Sequence, residues 1–253
     1  MSGKVLSKTR ERIARIELSR PDKKNALTAE MYAQLTAALD AAARDPQVRV
    51  ILLCGSAECF TAGNDVSDFL ERKPGESPVF GLFQVLPALE KPVVAAVGGP
   101  AVGIGTTLLL HCDFVLAAED ARFQLPFVPL GIVPEFGSTL LLPRLAGYQR
   151  AAKLLLLGQP FTAREALDAG IVTDIVSKDE LLARAERTAS MLAALPPESL
   201  RLTKRLMKQA QAPEVQARIA EEGRLFVERL ASPEAKEAMS AFLEKRKPDF
   251  SRF

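Results

Sequence analysis

Between residues 92 and 113 the chain passes through an unbroken apolar run, Val93-Val94-Ala95-Ala96-Val97, then a glycine-rich bend, then an apolar helix entered through Gly103-Ile104-Gly105. A strand that is apolar at every position must be covered on both faces, and a helix returning from it sets the next strand parallel in a layered α/β fold. The same order recurs on either side. Residues 13–18 alternate as a strand does, and Arg20-Pro21-Asp22-Lys23-Lys24-Asn25 makes a turn. Thr28 can cap a helix in which Met31, Leu35 and Leu39 share a face. Residues 48–54 form a second buried strand, 80–89 a helix, 103–111 a helix and 113–118 a third buried strand. From residue 181 the strand patterns stop, and helices are expected at 181–195, 198–210, 215–230 and 234–244, with Pro196-Pro197, Pro213 and Pro233 at the joints. The division expected is therefore an α/β core over 1–195 and a helical region over 196–253.

At 253 residues and 48% hydrophobic content, there is enough apolar surface for one large core with a helical appendage. The 33 basic and 31 acidic residues are interspersed, giving a net charge of only +2, so no field favours nucleic acid or an anionic membrane as partner. An anionic ligand must be met locally. Cys54, Cys59 and Cys112 lack CxxC spacing and sit on or beside apolar runs, which reads as reduced thiols and neither a disulfide frame nor a zinc site. With one histidine, His111, there is no Ser-His-Asp arrangement and no histidine-rich metal site; His111 reads as a packed helix-end residue. Met-Ser-Gly-Lys at the start, followed at once by strand-like sequence, carries neither a signal-peptide core nor an Arg-rich leader, no apolar run approaches a membrane span, and the final Ser-Arg-Phe reads as a frayed tail. A cytoplasmic location is the expectation. Residues 72–77 read as a mobile surface loop.

Two loops and one acid carry the chemistry. Gly103-Ile104-Gly105-Thr106-Thr107 opens a helix whose first amides have no internal acceptor, and glycines on either side of Ile104 would leave its N–H open to a close approach. Phe60-Thr61-Ala62-Gly63-Asn64-Asp65 has a similar build, and Asp65 is placed to cap a following helix. Two amides from separate loops can hold one oxygen. The first loop is not a dinucleotide fingerprint, because Thr106, Thr107 and Leu108 follow without a third glycine. Further on, Glu135 lies in Val133-Pro134-Glu135-Phe136-Gly137. Apolar neighbours disfavour its charged form, which suits a group that takes a proton and returns it.

Asn25-Ala26-Leu27, the Phe60–Asp65 loop, residues 98–113, Phe161-Thr162-Ala163-Arg164-Glu165-Ala166 and Phe242-Leu243-Glu244-Lys245-Arg246-Lys247, in this order, resemble the crotonase (enoyl-CoA hydratase/isomerase) superfamily across nearly the whole chain. The resemblance implies a spiral of ββα units, a C-terminal helical region that mediates trimerisation, a homotrimer or a dimer of trimers, and acyl-CoA thioester substrates with no further cofactor or metal. It implies that Asn64 and Ile104 supply the two oxyanion amides. Lys24, Ala26, Ala62, Gly63, Asp65, Gly103, Gly105, Phe127, Phe242 and Lys245 fall at matching substrate-binding positions, with Lys23 and Arg20 as further basic residues beside the CoA phosphates. Residues 70–83 would add to the pocket lining.

The departures from the family pattern bear on the reaction. The two glutamates of the family's hydratases correspond here to Thr107 and Phe127, neither of which can act as acid or base toward water. Residues 130–138, with Glu135, are similar to the peroxisomal-type Δ3,Δ2-enoyl-CoA isomerases. The resemblance thus implies an isomerase that moves a 3-enoyl double bond to the 2-trans position. Ring-isomerising and dehalogenating relatives, a hydratase, and a non-catalytic acyl-CoA-binding or RNA-binding scaffold stand as alternatives.

Overall fold

The computed structural model describes residues 3–65 and 78–253. Six strands form one sheet in the order β1 (Lys4–Arg10), β2 (Ile13–Ser19), β3 (Val50–Cys54), β4 (Val93–Val97), β6 (Phe114–Ala118) and β9 (Asp174–Val176). From β2 onward every pairing is parallel. β5 (Pro100–Val102), β7 (Arg122–Gln124) and β8 (Phe161–Thr162) make a second, smaller sheet.

The spiral follows from how these sheets share the chain. β4 runs directly into β5, and β6 into β7, so each turn gives one strand to the large sheet and one to the small. The segment after β3 does the same through a single bridge between Thr61 and Ala101. Helices close the turns: α1 (Ala29–Arg44), α2 (Val79–Ala88), the short α3 (Ile104–Thr107) continued by a 3-10 turn to His111, α4 (Ser138–Ala146), α5 (Tyr148–Leu157), α6 (Ala163–Asp168), α7 (Leu181–Ala194), α8 (Pro197–Gln209), α9 (Ala212–Leu230) and α10 (Pro233–Leu243).

The apolar runs have the two-sided burial they require. Ile51 and Leu53 of β3 face a cluster with Met31, Leu35 and Leu39 of α1, whereas Val50, Leu52 and Cys54 face Leu181, Ala185 and Ala189 of α7. Thr28 caps α1, accepting the Met31 N–H at 3.3 Å. Val215, Ile219 and Ala235 of the helical region join the first cluster, and Lys204 of α8 is buried with its ammonium on Asp113 at 2.5 Å and on the Lys91 carbonyl at 2.8 Å.

Two local features differ from the sequence expectation, while the strand-like start is β1. β1 carries no apolar alternation because it is an exposed edge strand, joined to β2 through Glu11 and Arg12 at φ 50° and 67°, a tight turn matched to hairpin twist. The helix expected at 103–111 becomes 3-10 after Thr107. Helices α4, α5 and α6 occupy residues 138–168, for which no helix is expected from the sequence. Residues 72–77, and most of the expected 70–83 pocket segment, lie outside the described residues. Among the described residues no helix is long and apolar enough to cross a membrane.

Candidate active site

The two glycine loops lie side by side because their backbones bond to each other. Thr61 N–H donates to the Pro100 carbonyl at 2.9 Å, and Val102 N–H donates to the Thr61 carbonyl at 3.1 Å. A Cβ on Gly63 would meet the Val102 carbonyl oxygen at 2.7 Å, and one on Gly105 would meet Thr61 Cγ2 at 2.5 Å. Gly105 is therefore small so that the loops can touch, whereas Gly103, with nothing within 4 Å of its missing Cβ, is required for its positive φ of 55°.

This contact aims the amides. Leu27 N–H donates to the Gly63 carbonyl, and Asp65 N–H donates to the Leu27 carbonyl, so the parallel bridge straddles Asn64 and turns its N–H to the opposite side. Neither that N–H nor the Ile104 N–H at the start of α3 finds an acceptor among the described residues. Asn64 is fixed further by its side chain, whose Oδ1 accepts the hydroxyl of fully buried Tyr32 at 2.5 Å. Thr106 ties α3 to β5 through the Ala101 carbonyl at 2.6 Å.

Glu135 is 6% exposed. Its Oε1 accepts the Thr107 hydroxyl at 2.5 Å, and Thr107 lies 3.5 Å from the Ile104 carbonyl, so the carboxyl stands against the same short helix that begins with the Ile104 amide. Oε2 is buried and meets no protein donor among the described residues. Burial pushes the Glu135 carboxyl up to about 8; the Thr107 hydroxyl works the other way, and the charge of Glu222 adds to the rise. Thr107 thus holds the buried carboxyl of Glu135 in place. Phe127 is buried and apolar.

The backbone bearing Glu135 is bent hard. Phe136 has φ 62° and Gly137 φ 74°, two successive left-handed residues, the first of them an aromatic for which this is costly. Compensation comes from three elements. His111 Nε2 donates to the Phe136 carbonyl at 2.8 Å, and its ring packs on Phe136 with centroids 4.2 Å apart. Burial holds that imidazole neutral, pushing it down to about 3. Phe83 of α2 covers Phe136 at 4.4 Å, and Glu222 of α9 accepts the Gly137 N–H at 2.5 Å.

The remaining residues singled out by sequence lie around these loops. Lys24 is exposed at φ 49°, and its carbonyl accepts the Ala62 N–H at 2.9 Å, which ties Lys24, Ala26 and Ala62 to one edge of the site. Asp65 pairs with Arg20 at 2.5 Å, the two side chains being 13% and 15% exposed. Arg20 also donates to the Ala26 carbonyl at 3.0 Å, so its charge serves the loop. Its Nε is buried with no partner among the described residues. Phe242 and Lys245 stand exposed at the end of α10, away from the buried face that Met239 occupies. Cys54 is buried, while Cys59 and Cys112 are partly covered; all three are free thiols. Sequence reasoning passed over Tyr32, Thr107 as a partner of Glu135, and Glu222. Only Thr107 had a readable signal, lying one helical turn after Ile104.

A family model described as enoyl-CoA hydratase/isomerase matches residues 8–252. The 2,3-dehydroadipyl-CoA hydratase of Escherichia coli (strain K12) is 38% identical over 255 residues, covering 99% of each chain. The 1,2-epoxyphenylacetyl-CoA isomerase of the same strain is 36% identical over 258 residues, covering 98% of each. A solved structure of an enoyl-CoA hydratase/isomerase from Pseudoalteromonas atlantica T6c superposes with a TM-score of 0.94 at 42% identity, covering 98% of this chain and 99% of that one. Paired sheets, paired amide loops and end-to-end similarity all agree, and the chain belongs to the enoyl-CoA hydratase/isomerase, or crotonase, superfamily.

Proposed function

We propose that this enzyme is an enoyl-CoA isomerase that moves a 3-enoyl-CoA double bond to the 2-trans position, with Glu135 as the one proton carrier. The observation that carries the reading is the state of Glu135: a buried carboxyl, held at Oε1 by Thr107, with Oε2 free of any protein donor among the described residues. In a 3-enoyl thioester the C2 proton is acidified by the carbonyl and by the adjacent double bond. The Asn64 and Ile104 amides stabilise the negative charge that collects on the thioester oxygen as the dienolate forms, and such donors are worth roughly 2.7–4 kcal/mol each. Oε2 removes the C2 proton and delivers it to C4. The carboxyl ends as it began, so one group serves as base and then as acid.

Hydration is the second reading, favoured by the name of the Escherichia coli hydratase relative. It asks the site to orient a water and to protonate the α-carbon, and Thr107 and Phe127 contribute no carboxyl to that task. A paired assay decides between them: rapid conversion of 3-trans-hexenoyl-CoA with negligible hydration of crotonyl-CoA supports isomerisation, and the reverse preference overturns it. Binding of both thioesters with turnover of neither favours a non-catalytic acyl-CoA-binding protein. A base with its carboxyl raised to about 8 must lose its proton before acting, so kcat/KM should climb about tenfold per pH unit below 8 and level off above it. The proposal extends to a homotrimer or dimer of trimers in which exposed Phe242 and Lys245 reach a neighbour's CoA, with Lys23 and Lys24 beside its phosphates.

A further inference from the structure

We propose that Glu222 is a positioning residue for the proton carrier: a carboxylate supplied by the C-terminal helical region that pins the Phe136–Gly137 bend and so sets where Glu135 stands. The inference rests on the reading of Glu135 as that carrier.

Helix α4 begins at Ser138 with Gly137 at its N-cap, and no side chain of its own caps it. An α-helix start leaves several N–H groups without intrahelical acceptors, and here Gly137 and Ser138 are buried and Thr139 half-buried. Glu222, more than eighty residues later in sequence and 3% exposed, takes up that role. Its Oε2 accepts the Gly137 N–H at 2.5 Å, while its Oε1 accepts both the Thr139 N–H at 2.9 Å and the Thr139 hydroxyl at 2.5 Å. Every partner donates, so the ionised carboxylate is the form the site is built to hold, although burial pulls its affinity for a proton upward. Gly137 is two residues from Glu135 and follows the strained Phe136, so loss of this anchor would release the bend where its tolerance is smallest.

Among the described residues, few other ionisable groups act on this position. Arg218, one turn earlier on α9, favours the charged form of Glu222. Glu135 faces it from the bend, and His111, packed on Phe136, is neutral. On α4 the nearest cation, Arg144, is engaged by Glu214. From α2, Phe80 and Phe83 bring no charge. An anion at Glu222 therefore acts on Glu135 with little to screen it, opposing ionisation of the base.

The test compares wild type with Glu222→Gln, which keeps size and removes charge, and with Thr139→Val, which removes one donor and leaves the carboxylate in place. The protonation of Glu135 is followed directly by infrared difference spectroscopy of the unliganded protein across pH 5–10, its carboxyl band being assigned by its loss in Glu135→Gln. Glu222→Gln should titrate Glu135 at lower pH than wild type by roughly half a unit or more, whereas Thr139→Val, which keeps the charge and loses one anchor, should not lower that midpoint but should reduce kcat by roughly two- to tenfold. On 3-trans-hexenoyl-CoA, kcat of Glu222→Gln should fall roughly ten- to a hundredfold with KM within about twofold. A Glu135 titration and a kcat in Glu222→Gln both superimposable on wild type overturn the inference, as does an unchanged kcat in Thr139→Val if Glu222→Gln fails to fold. The spectroscopic shift needs no turnover. If wild type fails to isomerise while the shift is present, the proposed reaction falls and the control of Glu135 by Glu222 stands.

Discussion

The two glycine loops and the Glu135 bend meet at α3 yet are built in opposite ways. The loops present backbone amides, placed by residues whose side chains are nearly absent: Gly63 and Gly105 let the loops touch, and Gly103 supplies a positive φ. The bend presents a side chain whose proton affinity and position are imposed by Thr107 of α3, His111 of the following 3-10 turn, Phe83 of α2 and Glu222 of α9. A backbone donor needs only local geometry, whereas a useful carboxyl needs an environment, and an environment is assembled from distant sequence.

Breaking the loop side should give the largest effect in this comparison. The Cβ of Gly103→Val meets no atom within 4 Å, so its first cost is backbone strain at a positive φ, expressed as displacement of the Ile104 amide. Loss of that donor should lower kcat by roughly 10²–10³-fold with thioester binding retained, measured by steady-state kinetics and calorimetry. A similar loss is expected for Gly63→Val, where φ 88° and the Val102 carbonyl both oppose a side chain.

Breaking the bend side should move the pH profile first. Thr107→Val removes the hydroxyl that favours the charged form of Glu135, so the carboxyl should rise further and the limb of kcat/KM that climbs through about pH 8 should move to higher pH. At neutral pH the expected loss is roughly ten- to a hundredfold, since one hydrogen bond to a charged group is worth roughly 1.5–3 kcal/mol. A profile unchanged in midpoint would separate Thr107 from the base.

Stability gives a third contrast. Glu135 has its carboxyl raised in the folded state from an ordinary 4.5 to about 8. Between those values the folded protein keeps a proton that the unfolded chain has released, so stability falls as pH rises through the window. Glu135→Gln should therefore unfold at a higher temperature than wild type, with the gap opening from pH 5 to pH 9 in thermal scans. Gly103→Val should show no such pH-dependent gap. The smallest effect expected is at Lys245, exposed at the end of α10: Lys245→Ala should raise KM for CoA thioesters by about two- to fivefold, less at high salt.

How legible each region was in the sequence follows the same division. The buried strands could be read because two-sided burial demands continuous apolar runs, as at Val50–Cys54 and Val93–Val97. Gly103, Ile104 and Asn64 stood out because glycine spacing records backbone needs where they occur. Glu135 was identifiable by resemblance, and its apolar neighbours foretold the direction of its shift. Glu222 left no trace: within α9 it reads as one more helix acid beside Glu221, and only folding brings it to Gly137. β1 was legible only as strand-like sequence after the first residues, since an exposed edge strand has no apolar face to fix its bounds.

The central claim is that one buried carboxyl carries the proton from C2 to C4. The most direct measurement is turnover of 3-trans-hexenoyl-CoA deuterated at C2, with the label located in the product by mass spectrometry, for wild type and Glu135→Gln. The account predicts deuterium carried to C4 by wild type and no double-bond migration by Glu135→Gln while the thioester still binds. Migration at an unchanged rate in Glu135→Gln would contradict it.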